Sequence, residues 1–291
     1  MDSFDERLIR RARSYDDVAD VYERVNAPLM FDLPASELLA IAAPARGDRV
    51  LDVGAGTGAV ARVAARAVGG EGLVVAVDPS AGMLEAARRG GIDLMVVGVL
   101  PHLPFVAGSF DAVLSAFVLT HVDDAEASVR EMGRVLRPGG RIGLSAWGAS
   151  MDDFARAWTE VVHEFVAAEL AAAAADCVLP GEAVLSKPGG LESVLAGAGF
   201  AAVDARTRTF AFAMTTDEYL EAREVCASGR ALRALLDGPT WERYRDRARE
   251  VFSKRFGNRV DYTRDVYYAI ACRRVEDALP GGDVNGILPR R

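Results

Sequence analysis

The sequence is poor in the residues that form disulfides and metal sites. Its 291 residues include only three cysteines and three histidines. Cys177, Cys226 and Cys272 are far apart, with no CxxC pair and no histidine at metal-ligand spacing. An odd number of widely spaced cysteines forms neither a disulfide framework nor a zinc site. We therefore expect three reduced thiols and no metal.

Two further absences concern membranes and nucleic acids. The sequence has no run of about 18 uninterrupted apolar residues, and residues 1–14 are rich in Asp, Glu and Arg where a secretory signal would be apolar. The formal net charge is −8, and the basic residues alternate with acids, so the basic patch of a nucleic-acid binder is missing. We predict a cytoplasmic protein that binds neither nucleic acid nor membranes. The oligomeric state stays open, a homo-oligomer included.

Apolar runs alternate with segments of helical period between Arg49 and Trp147, which is the pattern of βαβ units around a parallel sheet. The predicted strands are 50–53, 74–77, 94–97, 112–116, 142–146, 202–213 and 262–273. The main helices are predicted at 57–68, 80–89, 123–136, 152–175, 191–198 and 217–253, with caps at Ser80 and at Asp123 or Asp124. Residues 137–140, RPGG, predict a tight turn before strand five. The fold class is α/β, a doubly wound, seven-stranded, mostly parallel sheet of Rossmann type with a helical cap inserted after strand five.

The most informative stretch is VLDVGAGTG at 50–58, a strand that ends in a carboxylate and enters a glycine-rich turn. Glycines let a ligand approach the backbone, and the following helix offers free N–H groups. Gly54, Gly56 and Ala59 also fit a relaxed dinucleotide fingerprint, so an NAD-dependent oxidoreductase and a simple tight turn stay as alternatives. Asp52 favours another ligand, because it would repel a pyrophosphate and attract a cationic sulfonium.

Four ordered motifs resemble those of class I methyltransferases that depend on S-adenosylmethionine (SAM). They are DVGAGTG from Asp52, DPSAGML from Asp78, GVLPHLPF with SFDAV from Gly98, and EMGRVLRPGG from Glu131. Their order and spacing are most similar to the small-molecule branch that includes ubiquinone, menaquinone and many natural-product methyltransferases. The resemblance covers roughly residues 14–147. It implies a cytoplasmic enzyme that transfers a methyl group to a small-molecule acceptor, with natural product biosynthesis as one setting.

The resemblance also implies a set of cofactor contacts. Asp78 would accept the ribose hydroxyls and Met83 would pack on adenine, although a solvated acid and a core methionine are the alternatives. The acid that would accept the adenine amino group is replaced by Val99, so we expect backbone groups around Val99 and Leu100 to serve instead. The complete predicted set is Tyr22, Asp52, Gly54, Ala55, Gly56, Asp78, Pro79, Met83, Val99, Leu100 and Ser115.

Side chains outside these motifs give hypotheses for the rest of the reaction. Tyr22, or less well Tyr15, matches a tyrosine that touches the SAM carboxylate in this branch, unless it only packs a helix on the sheet. A base is optional, because in-line attack depends mainly on positioning. If one exists, histidine is the residue type suited to the role, and the three histidines are His102, His121 and His163. His121 follows strand four at the ligand edge and His163 lies in the cap, so these two are the catalytic candidates, with structural roles as the alternative.

The chain divides into five predicted regions. They are N-terminal helices over the cofactor site (1–45), the SAM-binding α/β core (46–149), the helical cap (150–190), a segment that completes the sheet with further cap helices (191–277), and a flexible tail (278–291). Segments 15–30, 152–187 and 214–230 are expected to close over the carboxyl edge of the sheet and form the acceptor pocket. A SAM-binding protein that does not methylate, such as a cyclase or a regulatory binder, stays as a further alternative.

Overall fold

The computed structural model describes residues 14–149 and 152–275, so the predicted tail at 278–291 and the first 13 residues of the N-terminal region lie outside the described part. A seven-stranded sheet in the order β3-β2-β1-β4-β5-β7-β6 forms its centre. The strands are β1 (Arg49–Val53), β2 (Leu73–Asp78), β3 (Met95–Val97), β4 (Phe110–Ala116), β5 (Leu136–Trp147), β6 (Asp204–Met214) and β7 (Val260–Cys272). The first five pair in parallel, and β7 is antiparallel to both β5 and β6. The predicted mostly parallel, doubly wound sheet is confirmed.

Helices connect the strands on both faces. They are α1 (Ala19–Val21), a π-helix (Tyr22–Phe31), α2 (Asp32–Ala42), α3 (Ala59–Val68), α4 (Ala81–Arg89), a 3-10 turn (Leu119–His121), α5 (Ala125–Val135), α6 (Asp153–Phe165), α7 (Ala168–Val178), α8 (Glu182–Leu185), α9 (Gly190–Gly197), α10 (Thr216–Val225), α11 (Ala227–Leu235) and α12 (Gly238–Phe256). Ser80 and Asp124 cap α4 and α5 as predicted. Across the two described ranges, no helix has the length and apolarity needed to cross a membrane.

Two local predictions were wrong. The RPGG stretch is not a tight turn, because β5 runs through it with a shifted register against β4. Its glycines pair instead with the residue that follows β7. Gly139 N–H donates to the backbone oxygen of Arg273, and Arg273 N–H donates to the backbone oxygen of Gly140. The long helix predicted at 152–175 is two helices, because Val166 is extended and buried between α6 and α7.

The cap is built from two separate connections. Helices α6 and α7 follow β5, whereas α10, α11 and α12 lie between β6 and β7. The two groups pack together, α6 on α12 and α7 on α11. Their interface forms a hydrophobic cluster that includes Trp158, Tyr219, Tyr244 and Phe252 and that extends to Met214 of β6 and Val260 of β7. The first group corresponds to the cap predicted at 150–190, and the second lies in the segment 191–277, where further cap helices were predicted.

Candidate functional site

The topology leaves a crevice at the carboxyl ends of β1 and β4. Strand β1 pairs with β2 on one side and with β4 on the other. The chain passes from β1 to β2 and β3 on one side of the sheet and then continues with β4 on the other side of β1, so the strand order reverses between β1 and β4. Ligands of open α/β sheets bind at such a switch point. A cavity of about 750 Å³ opens there and continues under the cap. This volume lies in the range of small-molecule sites.

Asp52 lies at the floor of the cavity with its side chain buried. Its Oδ2 accepts the N–H of Ala61 at 2.9 Å, which satisfies a free donor in the first turn of α3. Burial raises the pKa of Asp52 to about 7, and the neighbouring Asp78 adds to this shift, while the Ala61 N–H and Arg62 oppose it. A cationic ligand bound beside Asp52 would stabilise the ionised form of this carboxyl group.

Asp78 links the glycine-rich turn to the start of α4. Its Oδ2 accepts the N–H of Gly56 at 2.8 Å, and its Oδ1 accepts the N–H of Ser80 at 2.9 Å. Burial raises the pKa of Asp78 to about 6 despite these two hydrogen bonds. Each carboxylate oxygen can accept a second hydrogen bond, so Asp78 can still bind a hydroxyl that enters the cavity.

Gly54 and Gly56 of the turn differ in what a side chain at each position would contact. Both have positive φ angles, +70° at Gly54 and +54° at Gly56. A Cβ on Gly54 would lie 2.2 Å from Cγ2 of Val118, so this glycine admits the segment after β4 rather than a ligand. A Cβ on Gly56 would meet nothing within 4 Å. Both glycines line the cavity, so the expectation that they make room for a ligand stays a prediction, with close packing of Val118 as a further reason for glycine at position 54.

The N-terminal segment forms one wall of the cavity. Tyr15 and Tyr22 both line it, and the Tyr22 ring stacks on Phe31 with centroids 5.3 Å apart. Asp16 fastens this wall to α4, since its Oδ1 accepts both the Ser80 hydroxyl at 2.6 Å and the Gly82 N–H at 2.9 Å. Burial raises the pKa of Tyr22, which keeps its hydroxyl neutral.

The cavity brings together nearly all of the predicted contacts. Ala55, Pro79, Met83, Val99 and Leu100 line it together with Tyr22, Asp52, Gly54, Gly56, Asp78 and His121. The Met83 side chain is also buried against Ala19 and Ala86, which is the core role given as the alternative, and its contact with adenine stays a prediction.

Two predicted residues lie outside the lining. The Ser115 hydroxyl is buried and donates to the oxygen of Val53 at 2.9 Å, which joins β4 to β1. His163 is exposed on the outer face of α6. Their positions in the sequence were compatible with the site, but the side chains point elsewhere.

His121 occupies the edge of the cavity between three segments. Its Nε2 lies 3.5 Å from the Tyr15 hydroxyl oxygen, and its Nδ1 lies 3.3 Å from the backbone oxygen of Val178. The ring also meets that of Tyr15 edge to face at 6.0 Å. His121 therefore joins the turn after β4 to the N-terminal wall and to the end of α7.

The cap end of the cavity contains side chains that sequence reasoning missed. Phe117 has a left-handed backbone, φ +62°, and its ring stacks on Trp147 at 4.3 Å. The Arg264 guanidinium carbon lies 4.8 Å from the Trp147 ring centroid, and that of Arg223 lies 4.1 Å from the Trp158 centroid. The signals for these residues were that Trp158 and Arg223 belong to the predicted pocket segments 152–187 and 214–230.

The three segments expected over the carboxyl edge all contribute to the lining. Segment 15–30 contributes Asn26 and Met30, segment 152–187 contributes Trp158 and Glu182, and segment 214–230 contributes Tyr219 and Arg223, among others. Within the part of the chain that the structure describes, no cluster of three or more His, Cys, Asp or Glu side chains could hold a metal ion.

Comparison with known proteins identifies the domain that carries this cavity. Residues 51–144 match the family model described as methyltransferase domain, and residues 7–93 match that of protein-L-isoaspartate(D-aspartate) O-methyltransferase. The ubiquinone/menaquinone biosynthesis C-methyltransferase of Stenotrophomonas maltophilia (strain K279a) is 39% identical over 127 residues, 41% of this chain and 48% of that protein. The demethylmenaquinone methyltransferase of Mycobacterium sp. (strain KMS) is 49% identical over 96 residues, 33% of this chain and 40% of that protein. The chain thus spans about half the length of these relatives or less.

Solved structures agree on the fold over a larger share of the chain. A Haemonchus contortus phosphoethanolamine N-methyltransferase 2 superposes with a TM-score of 0.58 at 20% identity, covering 94% of this chain and 61% of that one. The [4+2]-cyclase SpnF superposes with a TM-score of 0.51 at 19% identity, covering 84% and 81%. At these identities the likeness concerns the fold alone. The domain match and the sheet together show that the chain carries a class I, SAM-dependent methyltransferase domain, and over this region it is similar to ubiquinone and menaquinone methyltransferases.

Proposed function

We propose that this protein is a cytoplasmic enzyme that moves a methyl group from SAM to an O, N or C nucleophile of a small molecule, a secondary metabolite or a quinone-like compound. The observation that carries the proposal is the single cavity that joins the strand-end carboxylates of β1 and β2 to the aromatic cap. One ligand can lie on the carboxylates while a second enters from the cap, which is the arrangement that group transfer requires.

The chain offers groups that fit each part of the cofactor. Asp52 suits the cationic end, and Asp78 suits the ribose hydroxyls, since both carboxylates line the cavity and keep accepting capacity. Asn26 adds an acceptor that sequence reasoning missed. Its Nδ2 donates to the oxygen of Ala222, whereas its Oδ1 is buried without a partner in the described residues. Such an oxygen is satisfied when a ligand N–H or O–H reaches it.

Methyl transfer requires the protein mainly to position the two reactants. Bound SAM supplies a methyl group on a sulfonium, which a nucleophile displaces in line. Phe117 and Trp147 present stacked apolar rings beside the end of β4, which exclude water from the attacking group. Alignment of the two reactants in such a pocket contributes several kcal/mol.

His121 is proposed as the residue that orients the acceptor side of the cavity. If its Nδ1–H donates to the oxygen of Val178, then Nε2 is the ring acceptor and faces the Tyr15 hydroxyl. In this tautomer a base role needs Tyr15 to move away. We therefore favour His121 as a positioning residue and keep the base role as the alternative that its variant tests.

A two-stage experiment tests the proposed function. Native mass spectrometry and calorimetry of the purified protein first compare SAM, its demethylated product S-adenosylhomocysteine (SAH) and NAD as ligands. Incubation with methyl-labelled SAM and a panel of aromatic and quinol acceptors then detects transfer. Binding of SAM with label transfer is the expected result. Binding of NAD alone would overturn the proposal, and conversion of an acceptor without label transfer would identify a SAM-binding cyclase.

A further inference from the structure

The cap end of the cavity holds two arginines that lack a carboxylate partner. Arg223, on α10, and Arg264, on β7, both line the cavity. Neither guanidinium forms an ion pair within residues 14–149 and 152–275, in contrast to the many surface arginines of this chain that do. The Nε of Arg223 is buried and has no hydrogen-bond partner there. A buried cationic donor without a partner is unfavourable unless a ligand supplies one.

Both guanidiniums lie over indole rings. Arg223 covers Trp158 and Arg264 covers Trp147, at the distances given above. A cation over a ring face is attracted to the ring without using up its N–H donors, which can still bind an anion. One edge of Arg264 is used, because its Nε donates to the oxygen of Gly148 at 3.1 Å. The terminal nitrogens of both side chains are available for a ligand.

The two positive charges are close enough to affect each other. Burial lowers the pKa of Arg264, and Arg223 lowers it further, since a second cation nearby disfavours the charged form. Two acids, Asp152 and Glu182, also face Arg264 from the cap and act in the opposite direction without forming an ion pair with it. An anion between the arginines would relieve their repulsion.

The other polar groups beside Arg223 are neutral donors. Burial raises the pKa of Tyr219 to about 12 and raises that of Tyr262 as well, so both hydroxyls in the lining keep their protons. Cys226 is the exception, because Arg223 lowers the pKa of its thiol against the effect of burial. Its Sγ nevertheless donates to the backbone oxygen of Arg223 at 3.0 Å.

We propose that the methyl acceptor carries an oxyanion, a carboxylate or a phosphate, that Arg223 and Arg264 bind at the cap end of the cavity. Its apolar body lies against the rings of Trp147, Phe117 and Trp158. The proposal rests on the proposed function, because the cavity must also hold SAM. It narrows the acceptor class to acids.

A separate arginine packs on the N-terminal wall. The guanidinium carbon of Arg230 lies 3.4 Å from the centroid of the Tyr15 ring, and its Nε donates to the Ser14 hydroxyl at 3.2 Å. Arg230 also opposes the rise that burial causes in the pKa of Tyr22. Arg223 instead lies over Trp158. The two arginines therefore belong to different walls, and only Arg223 lines the cavity.

The test compares three probes that differ at one group: 1-naphthoate, 1-naphthyl phosphate and 1-naphthamide. Calorimetry of the SAH-bound protein should show that at least one of the two anions binds at least about tenfold more tightly than the amide. The stronger of the two anions assigns the carboxylate or the phosphate. Arg223→Met should remove the preference while the Kd for SAH changes less than about twofold, since a charge-assisted hydrogen bond is lost only at the cap end.

Arg233→Met is the matched control. Arg233 also covers a tryptophan, Trp241 at 5.5 Å, but it is exposed and outside the cavity. It should keep the full preference for the anion. If Arg223→Met does not fold, Arg264→Gln gives the same comparison.

Two results would overturn the inference. One is equal binding of the amide and both anions by the SAH-bound wild type. The other is a loss of SAH affinity in Arg223→Met as large as the loss of anion affinity, because the arginine would then hold the cofactor carboxylate. If the wild type binds neither SAM nor SAH, the proposed function fails, and the probes measured without SAH still decide whether the cap end selects anions.

Discussion

The two ends of the cavity carry opposite charges and are assembled differently. At the cofactor end, Asp52 and Asp78 follow neighbouring strands, and backbone N–H groups hold both carboxylates. At the cap end, Arg223 and Arg264 come from an inserted helix and a late strand, and both lie on tryptophan faces. The difference shows how one cavity can orient two ligands, because a cationic cofactor and an anionic acceptor would each prefer the opposite end.

The two ends also differ in how firmly their charges are held. A carboxylate that accepts hydrogen bonds from the backbone stays in place when the ligand leaves. The arginines at the cap end have no carboxylate partner among the described residues, and one of the two, Arg264, is held by a single hydrogen bond from its Nε to the oxygen of Gly148.

The largest effect is expected at the floor of the cofactor end. Asp52→Ala removes the carboxylate that faces the cationic ligand, and we expect SAM affinity to fall about a hundredfold, as for loss of one partner of a buried charge pair. Asp52→Asn keeps the shape and can still accept the Ala61 N–H, so it separates charge from helix capping. Calorimetry at pH 8 measures both variants. Wild-type affinity in both would remove Asp52 from the cofactor site.

The second expected effect is a pH dependence of SAM binding. Burial raises the pKa of Asp52 to about 7 and that of Asp78 to about 6, above the values of about 4 for unfolded chains. The folded apo protein therefore binds more protons than the unfolded chain, and it loses stability as the pH rises from about 4 to about 7.

SAM binds more tightly when Asp52 and Asp78 are ionised. The affinity of the protein for SAM should therefore rise with pH, by about tenfold between pH 5.5 and 8. Calorimetry in two buffers of different ionisation enthalpy would also detect the released protons. Asp52→Asn should flatten the upper part of the profile. A flat profile in the wild type would mean that neither carboxylate titrates on binding.

The same contrast explains what the sequence could predict. Asp52 lies near the end of one apolar strand and Asp78 at the end of the next, so the rule that ligands bind at the carboxyl edge placed them correctly in the cavity. Arg223 lies in the charged stretch EAREV of α10, which has the composition of a solvated helix face. Only the packing of α10 against the cap turns it inward, and no local pattern encodes that.

Long-range pairing also explains the local errors. The RPGG stretch predicts a turn by its own residues, yet hydrogen bonds with Arg273, more than a hundred positions later, hold it at the edge of β7 as an irregular part of β5. Ser115 was predicted as a cofactor contact near the end of β4. Its hydroxyl instead donates to the oxygen of Val53 on the neighbouring strand, a long-range contact that the local sequence does not show.

The third prediction concerns the boundary between the two ends. His121→Ala removes the ring that joins the N-terminal wall to α7, and we expect methyl transfer to slow about tenfold with SAM affinity nearly unchanged. Rates of label transfer to the acceptor found in the screen, measured from pH 6 to 9, give the comparison. A loss of about a hundredfold together with a lost pH-rate limb would assign His121 as the base.

The fourth prediction concerns the wall over the cofactor end. Asp16→Ala removes the two hydrogen bonds that fasten this wall to α4, and we expect SAM affinity to fall about fivefold, through faster dissociation. Stopped-flow dissociation of SAM measures the change. Asp17→Ala is the matched control, since Asp17 is the exposed neighbour. Equal effects in the two variants would show that charge, rather than the fastening, controls dissociation.

The smallest effect is expected where the cofactor end meets the sheet. Ser115→Ala leaves the buried oxygen of Val53 with one partner fewer, so the free energy of unfolding should fall by about 1 kcal/mol. Ser145→Ala is the matched control on the adjacent strand, because its hydroxyl is buried without a partner among the described residues. Its removal should be neutral or slightly stabilising. Denaturant unfolding measures both, and calorimetry should give unchanged SAM affinity. A loss of SAM affinity in Ser115→Ala alone would show that Ser115 belongs to the cofactor site after all, and that this site extends beneath β4.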